Sequence, residues 1–313
     1  MIKLSIIVPI YNVEKYIEEC IRSLYSQDIP LEEYEVICVD DCSPDQSASI
    51  VERLQKEYPT LKLIRHKRNK KLGGARNTGI KVADGKYIMF VDSDDMLKPD
   101  CLKQLINEME TGHDDFIHFN VMPLYADGSN GKEPHYDVEQ SQMTGADLFF
   151  NKSLCWQDQI CAWRKIYCME FLQCNNLYFS EDIMYEDNDY AMRVAAAADK
   201  CRHIEYSPYI NRQNMESVTR VPVSMSRISY WQKTWPIITS LLDTIGKKDA
   251  RFVDLINFYM RYDLWDVLNN MYKLPRDQRK SVKQNLTVSE WLRYIRFLPI
   301  KRRIEYLYKL IKA

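Results

Sequence analysis

Long apolar runs are missing from this 313-residue chain, and none approaches the roughly 18 residues that a membrane-spanning helix needs. At the amino terminus Pro9 interrupts the charged-then-apolar plan of a signal peptide, so a cytoplasmic chain is expected. Nine cysteines include no Cys-x-x-Cys. Cys155, Cys161, Cys168 and Cys174 have five or six residues between them and no histidine nearby, which favours reduced, mostly buried thiols over zinc or disulfides. No Gly-x-Gly-x-x-Gly follows the first apolar run, which argues against a dinucleotide-dependent dehydrogenase. What is present is enough apolar residue, 46%, for one large domain or two smaller ones. The net charge of -1 hides a split: residues 247–313 hold 16 Lys and Arg against 7 Asp and Glu, so they carry +9 and the remainder -10. By charge alone such a tail suits an anionic partner, a membrane surface or nucleic acid.

Strand and helix patterns alternate along the first third. Apolar runs predict strands at Leu4–Ile10, Tyr34–Asp40, Leu61–Arg65 and residues 86–91. Helices are expected between them: from a cap at Asn12 to about Gln27, from Ser43-Pro44-Asp45 to about Tyr58, and over 74–83. This alternation predicts a mostly parallel sheet covered on both faces. Beyond Pro99 the pattern predicts a helix to about Met109, a strand over 115–121 and a polar loop or hairpin over 123–140, where the sheet changes character. Helices are expected over 146–151 and 163–173, a strand over 203–210, and helices from Ser226 onward. Trp156 and Trp163 either line a pocket or fill core.

The chemistry gathers at strand ends. Asp92 and Asp94 leave the fourth strand on one side, with Asp95 next to them, and several like charges there are costly unless a cation neutralises them. A small set of oxygen ligands suits Mg2+ or Mn2+; the bland alternative is a solvated acidic turn. The basic run Arg65 to Lys71 leads into Gly73-Gly74-Ala75-Arg76, where close backbone approach and a helix start suit a diphosphate; taken alone, the run fits a solvated basic loop with a glycine turn as well. A second acidic cluster, Tyr185-Glu186-Asp187-Asn188-Asp189, opens another helix. It either complements the helix dipole or supplies the base that transfer chemistry needs. Arg212-Gln213 and Ser217-Val218-Thr219-Arg220 form a polar segment after the last strand. At the carboxyl end, Trp291, Ile295, Leu298, Ile304, Leu307 and Leu310 alternate with Arg293, Arg296, Lys301, Arg302, Arg303 and Lys309, a pattern that fits a membrane-surface helix or a cap on the catalytic domain.

These motifs, in this order, resemble the inverting family 2 glycosyltransferases of bacterial polysaccharide synthesis: Ser5 to Asn12, Val39-Asp40-Asp41-Cys42-Ser43, Gly74 to Gly79, Phe90 to Asp95, and Tyr185-Glu186-Asp187. The resemblance covers residues 1 to about 220. It implies an α/β GT-A (nucleotide-diphospho-sugar transferase) fold, with a mostly parallel central sheet flanked by helices. The expected division is a catalytic domain over 1–220, its nucleotide-sugar half about 1–121 and its acceptor half about 122–220, followed by a basic helical extension over 221–313. By the same resemblance Pro9, Tyr11 and Asp41 border the nucleotide, usually with uracil on Asp41, and Arg76 faces phosphates or ribose. Asp92 and Asp94 form the metal pair, with Asp94 the direct ligand of Mg2+ or Mn2+. Asp187 is the catalytic base, Glu186 orients or contacts the acceptor, and Arg212 helps to neutralise the diphosphate. The implied partners are a nucleotide-sugar donor and a glycan or lipid-linked acceptor, with peripheral contact through the basic helices at the inner face of the membrane and no nucleic acid. Two positions depart from the family pattern. Cys42 replaces the common glycine, which is expected to need a backbone that avoids positive φ, and Asn211 replaces an aromatic before Arg212. The rival readings are a sugar nucleotidyltransferase and an inactive scaffold of a polysaccharide assembly complex.

Overall fold

The computed structural model describes residues 1–213, 225–271 and 273–312. The chain forms two compact units, Met1–Asp182 with Glu186–Met215, and Ile183–Tyr185 with Glu216–Ala313. In the first unit the elements are β1 (Leu4–Ile10), α1 (Ile17–Leu24), β2 (Tyr34–Asp40), α2 (Ser47–Leu54), β3 (Leu61–Arg65), α3 (Lys71–Val82), β4 (Tyr87–Phe90), β5 (Met96–Leu97), α4 (Leu102–Gly112) and β6 (Phe116–Leu124). These are followed by α5 (Gly145–Phe149), α6 (Trp156–Ile160), β7 (Lys165–Cys168), α7 (Met169–Cys174), α8 (Glu186–Ala197) and β8 (Cys201–Arg212). The second unit holds α9 (Met225–Ser240), α10 (Ile245–Lys248), α11 (Ala250–Met271), α12 (Arg276–Gln284), α13 (Val288–Ile295) and α14 (Ile300–Lys312).

One sheet runs through the first unit in the order β3-β2-β1-β4-β7-β6-β8-β5. Its first four strands are parallel, as their continuous apolar sequences require, and every residue of β1 and β2 is buried. Alternate side chains of β1 feed opposite cores, Ile6, Val8 and Ile10 into one and Ile7 into the other. From β4 onward the sheet is mixed: β7 runs antiparallel to both β4 and β6, while β8 pairs parallel with β6 and antiparallel with β5.

Several expected elements are corrected. Residues 163–173 are not one helix, because Lys165–Cys168 forms β7, whose side chains are mostly buried between β4 and β6. Asn12 does not cap α1: its backbone is left-handed at φ +57, its N–H donates to Ser43 Oγ at 3.3 Å, and the helix begins five residues later. Residues 123–140 do contain a turn, with Gly128 at φ +82 and a bridge between Leu124 and Asn130. Trp163 is partly buried, stacks on Tyr209 with ring centres 4.7 Å apart and joins the core, while Trp156 packs edge-on to Phe149 and stays partly exposed. In the second unit Trp235 packs against Trp291 and Tyr294, above the buried stripe of α11 that includes Phe252, Ile256 and Met260. The Ser217–Arg220 segment lies outside the described residues. Among the described residues no helix is long and apolar enough to cross a membrane.

Candidate active site

The carboxyl ends of β1, β2 and β4 open on one edge of the sheet, the place where parallel α/β folds hold ligands. Pro9 is buried in the last turn of pleat of β1, and Tyr11 just beyond it is half exposed. At the end of β2, the Asp41 N–H donates to Ile10 carbonyl oxygen at 2.9 Å. One carboxylate oxygen of Asp41, Oδ1, accepts from the Lys70 N–H at 2.7 Å and meets His66 Nδ1 at 2.7 Å, while His66 Nε2 meets Thr78 Oγ1 at 2.9 Å. The basic loop is thereby tied back to β2 through a buried acid. Cys42 follows at φ +65, so the expectation of a negative φ there fails. The left-handed turn is held by the Ser43 N–H donating to Asp40 Oδ1 at 3.1 Å, and it costs a non-glycine residue about 1–2 kcal/mol.

At the end of β4 the three acids divide. Asp95 is fully buried and turned toward β8, where it accepts from Tyr209 Oη at 2.8 Å, Asn211 Nδ2 at 3.0 Å and the Arg212 N–H at 2.7 Å. It is therefore a structural anchor rather than a third cation ligand. Asp92 and Asp94 remain in the cleft. Burial and the charge of Asp92 push Asp94 up to about 6, and no salt bridge reaches its carboxylate among the described residues. Arg212 donates from Nε to the Asp94 carbonyl at 3.0 Å and from Nη2 to Glu19 at 2.7 Å, with its guanidinium over the Tyr16 ring. Its side chain is thus fixed beside the acidic turn.

Arg76 decides how the two acidic clusters relate. It is fully buried on α3, and its guanidinium donates to Asp92 Oδ1 at 3.0 Å, Asp187 Oδ1 at 2.6 Å and Glu186 Oε1 at 3.3 Å. It also lies against the faces of Phe179 and Phe90. The resemblance had Arg76 facing phosphates or ribose; here its charge is shared by three carboxylates. The next residue, Asn77, donates to Phe179 carbonyl oxygen at 2.9 Å and accepts from the Phe179 N–H at 2.8 Å, which fixes the segment leading to α8. Tyr185 then takes φ +63, an uncommon conformation for a bulky residue, and α8 begins at Glu186. Glu186 is buried, and burial together with the Asp187 charge raises it to about 8, against the pull of Arg76. Asp187 is also raised by burial, although Arg76 opposes the shift, and 22% of its side-chain surface remains open. Lys165, pushed down to about 8 by burial, lies within electrostatic reach and donates to the carbonyls of Gln159 and Cys161.

The donor set fits a hard divalent cation: oxygen ligands only, with one carboxylate raised by burial and then by its neighbour's charge. Among the described residues no group of three or more His, Cys, Asp or Glu closes a metal cage, so phosphate oxygens or water would complete the shell.

A family model for glycosyl transferase family 2 matches residues 5–165, the stretch that carries β1 to β4 and the Asp92–Asp95 turn. The chain belongs to this family. As a glycosyltransferase it is 30% identical over 303 residues to the uncharacterized glycosyltransferase EpsJ of Bacillus subtilis, covering 95% of this chain and 87% of that protein. It is 33% identical over 288 residues to TarS of Staphylococcus aureus, a poly(ribitol-phosphate) beta-N-acetylglucosaminyltransferase, covering 91% of this chain but only 47% of TarS. The crystal structure of TarS residues 1–349 in complex with UDP-GlcNAc superposes with a TM-score of 0.68 at 24% identity over 99% of this chain and 88% of that one, which shows a common fold. The mannosyltransferase PcManGT of Pyrobaculum calidifontis, in complex with GDP-Man and Mn2+, shares the fold at a TM-score of 0.56 and 15% identity, covering 99% and 86%. Family membership also decides between the glycosyltransferase and nucleotidyltransferase readings.

Proposed function

We propose that this glycosyltransferase is metal-dependent and inverting, and that it moves a sugar from a UDP-sugar to a hydroxyl of a glycan or lipid-linked acceptor in surface polysaccharide synthesis. The observation that carries the reading is the joining of Asp92 and Asp187 through one buried guanidinium, which brings the donor-side and acceptor-side acids into a single site. Pro9 and Tyr11 border the base. Asp41 has one oxygen held by His66 and Lys70, which leaves Oδ2 to accept from a base N–H such as that of uracil. When bound at Asp92 and Asp94, Mg2+ or Mn2+ would offset the charge of the departing diphosphate. Arg212 stands beside that turn to add positive charge.

Asp187 takes the proton of the acceptor hydroxyl as it attacks the anomeric carbon from the face opposite the nucleotide, and a single displacement inverts the centre. The two neighbours are separated by their environments. Glu186 at about 8 keeps its own proton at neutral pH, and its burial denies it an acceptor; Asp187 is open, and its second oxygen has no partner among the described residues. Glu186 then serves to orient Arg76 and the acceptor side. The donor in the TarS complex makes UDP-GlcNAc the first candidate. The basic helices of the second unit extend the reading to peripheral contact with the inner face of the membrane, where a lipid-linked acceptor would be met. The test is a panel of nucleotide sugars with Mn2+, Mg2+ or chelator, scored for release of nucleotide diphosphate and for the anomeric configuration of the product. Retention of configuration, or full activity in chelator, rejects the mechanism.

A further inference from the structure

The second unit carries a surface cleft of about 630 Å³, within the range of ligand-sized sites. Its walls come from Leu242, α11, the α13–α14 connection and the start of α14, and they are apolar except for Asn257 and three arginines, Arg261, Arg296 and Arg303. No carboxylate lines it, and none of the three guanidiniums has an acidic partner among the described residues. Arg261 donates from Nε to Phe297 carbonyl oxygen at 3.0 Å and Arg303 from Nε to that of Leu298 at 2.8 Å, so both also serve the carbonyl-rich end of α13. That role accounts for two of the three positive charges. It leaves Arg296, which is exposed and lies over Phe297 without a carbonyl or carboxylate to hold it.

Beside the cleft runs an apolar face that the unit leaves uncovered. On α11 Phe258, Tyr262 and Trp265 are exposed at 66%, 64% and 38%, at helical spacing, and on α14 Ile300 and Ile304 are exposed at about 70%. The two helices meet there: Trp265 packs edge-on to Tyr306, and Arg302 sits over the Trp265 ring at 4.5 Å. Large exposed aromatic and aliphatic residues beside three arginines that have no acidic partner among the described residues, in a segment of net charge +9, complement an anionic surface with an apolar interior.

We propose that this face of the second unit docks on an anionic phospholipid bilayer. Arg261, Arg296 and Arg303 take headgroup phosphates, and Phe258, Tyr262, Ile300 and Ile304 enter the headgroup boundary. This deepens the peripheral-contact reading above and names its surface.

The test uses the full-length chain in co-sedimentation with vesicles of phosphatidylcholine alone or mixed with phosphatidylglycerol. Wild-type protein binds the mixed vesicles and is released by salt. Arg261→Gln/Arg296→Gln/Arg303→Gln lowers partitioning about 10²-fold, and Arg296→Gln alone, which removes no carbonyl bond, lowers it about fivefold. Tyr262→Ser/Ile304→Ser also weakens binding, with a residual that is fully salt-sensitive. Donor hydrolysis without vesicles stays at wild-type level in every folded variant, so a failed docking surface is distinguished from a failed catalytic assignment. Three results overturn the proposal: Arg296→Gln and the triple variant partitioning like wild type; free glycerol phosphate displacing all binding, which would mark a soluble-anion site; or a wild-type dimer that ignores vesicles and is split by Tyr262→Ser.

Discussion

Arg76 is the residue on which the charge balance of the catalytic unit turns. Three carboxylates around one fully buried cation cannot all be ionised at low cost, and Glu186 is the one that keeps its proton. Its folded value of about 8 stands above the ordinary glutamate value, so the native state binds more protons than the unfolded chain between about pH 4.5 and 8. Stability from this group therefore falls as pH rises through that window. Glu186→Gln should flatten the dependence of melting temperature on pH there and retain transfer. Asp187→Asn should keep donor affinity while transfer falls by at least ~10²-fold, because the acceptor keeps its proton into the transition state. Near-normal transfer by Asp187→Asn beside a dead Glu186→Gln would exchange the two roles. Asp94→Ala should lose metal dependence and donor affinity together, since it removes a ligand of the proposed cation, and its fold should survive because a repulsive neighbour of Asp92 is gone.

At the scale of elements, close packing of α3 sets the site. A Cβ on Gly79 would stand 2.4 Å from Ile7 Cγ2, and one on Gly73 would stand 2.6 Å from the Ser180 carbonyl oxygen and 3.1 Å from Glu186 Cγ. Both substitutions to alanine overpack, at a cost of about 1–3 kcal/mol each. They should differ in function: Gly79→Ala presses on β1 and lowers stability with modest loss of transfer, whereas Gly73→Ala displaces the segment before α8 and lowers transfer more than stability. Denaturant melts and transfer rates on both variants check this. The four parallel strands and the polar residues at their ends were legible because buried strands are continuous apolar runs that stop where the ligand edge begins. β7 was hidden because Lys165 and Cys168 bracket only two apolar residues, beside good helix formers. The division of the three acids was also invisible, since Asp95 finds its partners 114 to 117 residues away on β8, and nothing in a local pattern marks Tyr209 or Asn211 as such.

For the whole molecule, all nine cysteines are free thiols, and they sort by burial. Cys42, Cys155 and Cys174 are exposed and should alkylate in the native protein, while Cys20, Cys38, Cys101 and Cys201 are buried, with burial raising each thiol, and should react only on unfolding. Mass spectrometry of pulse-labelled protein reads this out, and protection of Cys42 by UDP would place the nucleotide beside Asp41. The bridge made by Arg76 also has a consequence in time. Its bonds to Glu186 and Asp187 close loops of 110 and 111 residues, whereas the β-α-β units that surround it form from near neighbours. Contacts of such separation pay their closure entropy last. The candidate site should therefore be acquired after the transition state for folding of the first unit. Arg76→Lys should speed unfolding and leave the refolding rate almost unchanged, and in refolding wild-type protein the far-ultraviolet helical signal should return ahead of sugar transfer.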